Sequence, residues 1–270
     1  MTTATLSRPA AGQAGGGYSF RTVARMEWRK LRSIRSTWYI VAVYAVSMIG
    51  LAMVILSHEG YARMSAADRA SFDPTHDCFI GLVLGQLLLG TLGVLTITTE
   101  FSSGMIRATF AAVPRRPLVL TAKAAVLGAV TLAAGEVSAF AAFLAGQASL
   151  TAPAPHAALG QPGVLRAVLI AGAYPALVAL IGLGIGALIR HTAGAICALV
   201  GVLFVLPLLF VSPSLQNTAQ NFLPHPMANS LTAVKPLAHT LPTGLAFGLL
   251  CGYAAAAVAA GAWALAHRDA

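Results

Sequence analysis

The chain has 270 residues, of which 57% are hydrophobic and only 9% charged, and its formal net charge is +9. Soluble domains carry roughly 25% charged residues, and a soluble fold of this length could not cover so much apolar surface with so few polar groups. Composition therefore excludes an ordinary water-soluble domain and points to a chain whose solvent is partly lipid.

In chain order, Met1 to Gly17 is rich in Ala, Gly and Thr, the composition of a disordered tail. A single membrane domain is expected over 18–270. The first 37 residues hold no apolar core ahead of the first apolar run, so the charged, apolar, small-residue order of a cleavable signal peptide is not expected. Tyr18 to Thr37 reads YSFRTVARMEWRKLRSIRST. Phe20, Val23, Ala24, Leu31 and Ile34 recur at helical spacing, and Arg21, Arg25, Arg29 and Arg32 form a basic stripe. That pattern predicts an amphipathic helix lying in a membrane interface, with Trp28 and Trp38 at headgroup level.

Six apolar runs follow, at about 38–57, 78–99, 123–146, 166–189, 192–211 and 245–266. Each approaches the roughly 20 residues that one helical crossing needs, and none shows the ten-residue alternation of a membrane barrel. The expectation is an all-α membrane protein with six transmembrane helices. Cys78, Cys197 and Cys251 fall in or beside these runs without CxxC spacing, which argues against a disulfide framework or a zinc site. Of the 17 basic residues, 13 fall before the first run, after the second, after the fourth and in the C-terminal tail. Only Arg63, Arg69, Arg166 and Lys235 fall in the opposite loops, beside Glu59, Asp68, Asp73 and Asp77. This asymmetry predicts a cell-membrane protein with both termini in the cytoplasm. It also accounts for the net charge, and no basic face with stacking aromatics suggests nucleic acid.

Between the second and third runs lies TTEFSSGMIRATFAAVPRRPLVLTAK, Thr98 to Lys123. Ser102, Ser103 and Gly104 can break one helix and cap another. Met105 to Val113 then reads as a short helix with Met105, Ile106, Thr109 and Phe110 as its packing face, ended by Pro114. Glu100 falls at the end of the second run, and Arg115, Arg116 and Lys123 mark the return into the membrane. An amphipathic loop that merely connects two spans would also fit these residues.

The stretches MEWRKLRSIRSTW and EFSSGMIRATFAAVPRRPLVLTAKA resemble the membrane subunits of ABC-2 type transporters, most closely the actinobacterial permease branch. The resemblance implies a type V exporter-like transmembrane domain of six spans. The helix at 18–37 would be its elbow helix, and the loop 100–122 would carry a coupling helix that receives a separate ATPase. On this likeness Glu100, Gly104, Met105, Arg107, Phe110, Arg115 and Arg116 are the expected ATPase-coupling residues. It further implies two ATPase copies, which would hold ATP and Mg, and a second permease copy or a paralogue. This chain has no GxxxxGK[ST] phosphate loop and no soluble stretch long enough for a nucleotide-binding domain, so neither cofactor nor catalytic residue is expected within it. In that family the segment from Ser212 to Gly244 would be a helical hairpin dipping back into the membrane; a solvated loop is the plain alternative.

Glu136 is the one acid deep inside an apolar run. An intramembrane acid is a candidate substrate or proton site, and a protonated structural acid is the plainer reading. Gly182 and Gly186, and the series Gly244, Gly248 and Gly252, are small-residue faces suited to close helix packing. Pro175 and Pro207 are expected to kink their helices. The seven histidines do not pair at metal-site spacing. Two other functions stay open at this point, a stand-alone secondary carrier and a non-transporting sensor or immunity protein. A carrier would show internal repeats and more intramembrane charge.

Overall fold

The computed structural model describes residues 19–58, 61, 64–210, 221–235 and 240–268, all helix, turn or irregular chain. The expected tail at 1–17 lies outside the described residues, as do Glu59, Arg63 and residues 211–220.

The expected amphipathic helix splits from the first span. Helix α1 covers Phe20–Ser33. Ile34 is extended, and α2 begins at once, over Arg35–His58. Two short helices, α3 (Ala66–Ser71) and α4 (Pro74–Asp77), follow. Then come α5 (Leu82–Ser102), α6 (Met105–Ala112), α7 (Arg116–Ser149) and α8 (Val164–Ile189). Helix α9 (Thr192–Val200) passes through a π turn, Gly201–Val205, into α10 (Leu206–Leu208). Helices α11 (Pro224–Thr232) and α12 (Thr243–His267) complete the chain.

Five helices, α2, α5, α7, α8 and α12, are long and apolar enough to cross a membrane, as in a multi-pass membrane protein. The fifth apolar run, at 192–211, forms a shorter helix than the other five among the described residues. Thr192 to Leu208 spans roughly 25 Å at 1.5 Å per residue, short of a bilayer core of about 30 Å. Its π turn has a local cause. Pro207 has no N–H, and its ring crowds the carbonyl four residues back. The residue before it, Leu206, sends its N–H five residues back to Gly201, which widens the helix where Pro207 needs room.

Helix α8 is central, packed against α5, α7 and α12. Its most apolar window is 67% buried, against 22% for α2 and α12. Backbones approach closely at three crossings, one of them between α8 and α12, where a Cβ on Gly184 would run into the Ala257 backbone. A Cβ on Gly182 would run into the Gly90 carbonyl, and one on Gly135 would run into the Gly172 carbonyl. These notches let α8 lie against α5 on one side and α7 on the other. Gly186 also faces α5, with Ile97 beside it, whereas Gly244, Gly248 and Gly252 have nothing within 4 Å. The two glycine series therefore do different things, and only the first packs the bundle.

The far end of the bundle is tied by side chains. Asp73 caps α4 through Oδ1 and accepts the Val234 and Lys235 amides at Oδ2, at 2.7 and 3.0 Å. His76 Nδ1 lies 3.0 Å from Thr232 Oγ1. The Tyr174 hydroxyl and His225 Nδ1 both meet the Gln86 amide, and Arg166 donates to the Ala233 carbonyl. These bonds seat α11, whose Met227, Ala228 and Leu231 are buried. Within 212–244, the helix Pro224–Thr232 is thus packed against the bundle.

Candidate functional site

Helix α5 ends at Ser102, and Gly104 turns the chain with φ of +70°. That left-handed conformation costs glycine nothing and other residues a Cβ clash. Helix α6 then runs from Met105 until Val113 and Pro114 stop it. Ile106, Thr109 and Phe110 are buried. Met105, expected on the packing face, is 43% exposed, and Arg107 beside it is exposed too. The short helix therefore has an inner face bound to the bundle and an outer face of Met105, Arg107, Ala108 and Ala111.

Beneath α6 lies a cluster of four charges from three helices. Lys123 of α7 donates to Glu100 Oε1 of α5 at 2.7 Å and to Glu27 Oε2 of α1. Lys30 of α1 donates to Glu27 Oε1 at 3.0 Å, Glu100 Oε1 at 3.1 Å and Thr109 Oγ1 of α6 at 3.1 Å. Glu27, Glu100 and Lys123 are each at most 3% exposed. Burial opposes the charge on Lys30, but Glu100 and Glu27 outweigh it and hold its pKa above the ordinary value. Two carboxylates and two ammonium groups leave the cluster neutral, which makes its burial tolerable. Within the cluster, Glu100 Oε2 has no partner among the described residues.

Glu100 is thus an internal joint, not a residue presented to solvent. Lys123 sits two turns inside α7, which starts at Arg116. Glu27 is a member that the sequence reading missed. Its signal was present: it lies four residues from both Val23 and Leu31, on their helical face. Those two residues are buried with it against protein rather than lipid.

A cavity of about 170 Å³ opens beside the cluster. Its lining combines the four charged residues with Leu31, Leu92, Leu95 and Leu127.

Two arginines join this end of the bundle to α12. Arg116 donates to the Leu265 and Arg268 carbonyls at 3.1 and 3.0 Å. Arg190 reaches the Ala264 and Arg268 carbonyls, both at 3.2 Å. Cations at a helix C-terminus satisfy its free carbonyls and oppose its dipole. The guanidinium of Arg116 also lies 5.4 Å from the Phe110 ring of α6, and that of Arg190 lies 5.2 Å from Phe101. Arg115 is exposed.

Glu136 stands apart from this assembly. Its carboxyl lies over the Gly172 notch of α8, and its Oε2 is buried without a partner among the described residues. The Tyr44 hydroxyl of α2 is likewise buried and has no partner among the described residues. No group of three or more potential metal ligands occurs among the described residues.

A scan against protein-family models finds no match to this chain. A search of the curated proteins finds none either.

Proposed function

We propose that the chain is the membrane permease of an ATP-driven exporter of the ABC-2 type, coupled to a separate ATPase through the surface of α6. The observation that carries this reading is α6 itself. It is a short helix joining two long apolar helices, with its inner face bonded through Thr109 to Lys30 and its outer face open. The likeness of its flanking motifs to such permeases supports the same reading.

In this mechanism the ATPase meets Met105, Arg107 and Arg115 on the open face. Closure of two ATPases around ATP and Mg pushes α6 toward the bundle. The Thr109–Lys30 bond and the Lys30–Glu100–Lys123–Glu27 cluster pass that displacement to α1, α5 and α7 together. Buried ion pairs are stiff because parting them leaves an uncompensated charge. Glu100 is then a relay rather than a docking residue. The termini and α6 lie in the cytoplasm, α9–α10 acts as the sixth span, and a second permease copy or paralogue supplies the other half of the pathway in the plasma membrane.

The test is co-purification from native cells in mild detergent. A Walker-motif ATPase should accompany the wild-type chain and be lost on Arg107→Glu with Arg115→Glu. Glu100→Gln should keep the partner but lose transport-coupled ATP hydrolysis. A chain that purifies without an ATPase and retains its activity overturns the proposal.

A further inference from the structure

A second groove, of about 590 Å³, lies on the outside of the bundle where α1 leans on α7. Its α7 side is a lane of small residues, Ala125, Ala129 and Ala133, one turn apart. Its α1 side carries Arg21 and Arg25, with Phe20 and Trp28 at either end of that helical face. Phe20 and Trp28 are 45% and 40% exposed. The groove is thus apolar along its floor and doubly cationic along one edge.

The charge on that edge is not compensated. Arg21, Arg25, Arg29, Arg32 and Arg35 are all exposed. The one acid of α1, Glu27, is buried and already bound by Lys30 and Lys123. No ion pair joins Arg21 or Arg25 to any acid among the described residues. At four residues apart, their side chains start about 5–6 Å from each other. Two guanidinium groups so placed can grip one phosphate from both sides.

From this geometry we propose that the α1–α7 groove is a binding site for an anionic phospholipid. The phosphate sits between Arg21 and Arg25, the indole of Trp28 lies at the headgroup boundary, and one acyl chain follows the alanine lane. Because both guanidinium charges are uncompensated, a headgroup of net negative charge is favoured over a zwitterionic one. Polybasic segments next to a bilayer draw anionic lipid in this way, and the lane gives that attraction a defined place. The inference needs only a bilayer around the bundle and does not rest on the transport reading.

Trp28 reports on the site directly. Trp38→Phe and Trp263→Phe leave it as the only indole of the chain. The full chain, reconstituted in phosphatidylcholine vesicles, is titrated with brominated phosphatidylglycerol or brominated phosphatidylcholine. Bromine on the acyl chain quenches an indole it touches. The anionic lipid should quench Trp28 at a lower mole fraction, by roughly fivefold for each arginine engaged. Arg21→Gln with Arg25→Gln should abolish the difference. Arg32→Gln with Arg35→Gln removes the same charge outside the groove and should preserve it. Equal quenching by the two lipids overturns the site, as does selectivity that survives the Arg21 and Arg25 changes. Loss of selectivity in both double variants overturns it too, because a diffuse basic surface would then explain the attraction. Ala129→Leu, which fills the lane, should weaken quenching by either lipid, and unchanged quenching would remove the acyl chain from the lane.

Discussion

Lys123 of α7 and Glu100 of α5 meet at 2.7 Å inside the bundle, each at most 3% exposed. Neither charge could stay buried alone, so each depends on the other, and Glu27 and Lys30 complete the balance. Lys123→Met should destabilise the protein by about 3–5 kcal/mol, because it strands a buried carboxylate. Adding Glu100→Gln should recover most of that loss, since neutrality returns. Thermal unfolding in detergent of the two single variants and the double variant measures the coupling. Simple additivity would mean that the pair does not act as a unit.

The interruption of the second and third spans was legible because Ser-Ser-Gly and Pro114 are strong local signals. The five long helices were legible because lipid demands long apolar runs. The charge cluster was not, because its members lie in three separate segments and each has a plain local reading. Lys123 looks like a flank of a span, Glu100 like a surface acid, and Glu27 like one polar residue among arginines. Only Glu27's place on the Val23–Leu31 face betrays it. The shorter helix formed by the fifth apolar run was hidden for another reason. Hydropathy does not register a π turn, and Pro207 alone predicts a kink rather than a widened turn.

Gly104 sets where α6 begins. Its φ of +70° costs an ordinary side chain roughly 1–2 kcal/mol, while asparagine tolerates this region better. Gly104→Val should therefore displace α6 more than Gly104→Asn. Limited trypsin digestion at the exposed Arg107 reads this, with cleavage fastest in the valine variant and near wild type in the asparagine one. In the exporter reading, coupling should fall in the same order. Equal cleavage in all three proteins would mean that α6 is held by its buried face alone.

The two glycine series should separate cleanly. Gly182→Ala puts a Cβ against the Gly90 backbone carbonyl, which cannot yield as a side-chain tip can. The α5–α8 crossing must then open, at a cost of roughly 1–3 kcal/mol or more. Gly248→Ala meets nothing within 4 Å and should be neutral or stabilising by about 0.5–1 kcal/mol. The yield of monodisperse protein and its melting temperature check both. A large loss at Gly248 would reveal a contact made outside the chain.

The far-end seam should loosen in acid. Burial lowers the pKa of His76 from its usual 6.5, and nearby Asp73 only partly opposes this. A base whose folded pKa is depressed takes up its proton first in the unfolded state. Its stabilising contribution is therefore whole above about pH 6.5 and fades as the pH falls toward the folded value. The melting temperature should decline between about pH 7.5 and about pH 5.5. His76→Asn, which keeps a polar group near Thr232 but cannot titrate, should flatten that decline. A slope that persists unchanged in the variant would assign the acid sensitivity to another group.

Glu136 offers the sharpest separation of stability from function. Among the described residues its buried Oε2 has no partner, and it lies over a glycine notch that admits the carboxyl. An unpaired polar atom in such a place costs about 1–3 kcal/mol, so nothing in the packing accounts for a carboxyl there. Glu136→Gln keeps the shape and removes the charge. Thermal stability should rise or hold. A substrate or proton site should lose turnover of a cationic substrate, and its pH dependence should flatten. Tyr44→Phe tests the second unpartnered group, with the same expected pattern if the phenol shares the site. If Glu136→Gln melts earlier and transports normally, the carboxyl is holding the α7–α8 crossing together and carries no chemistry.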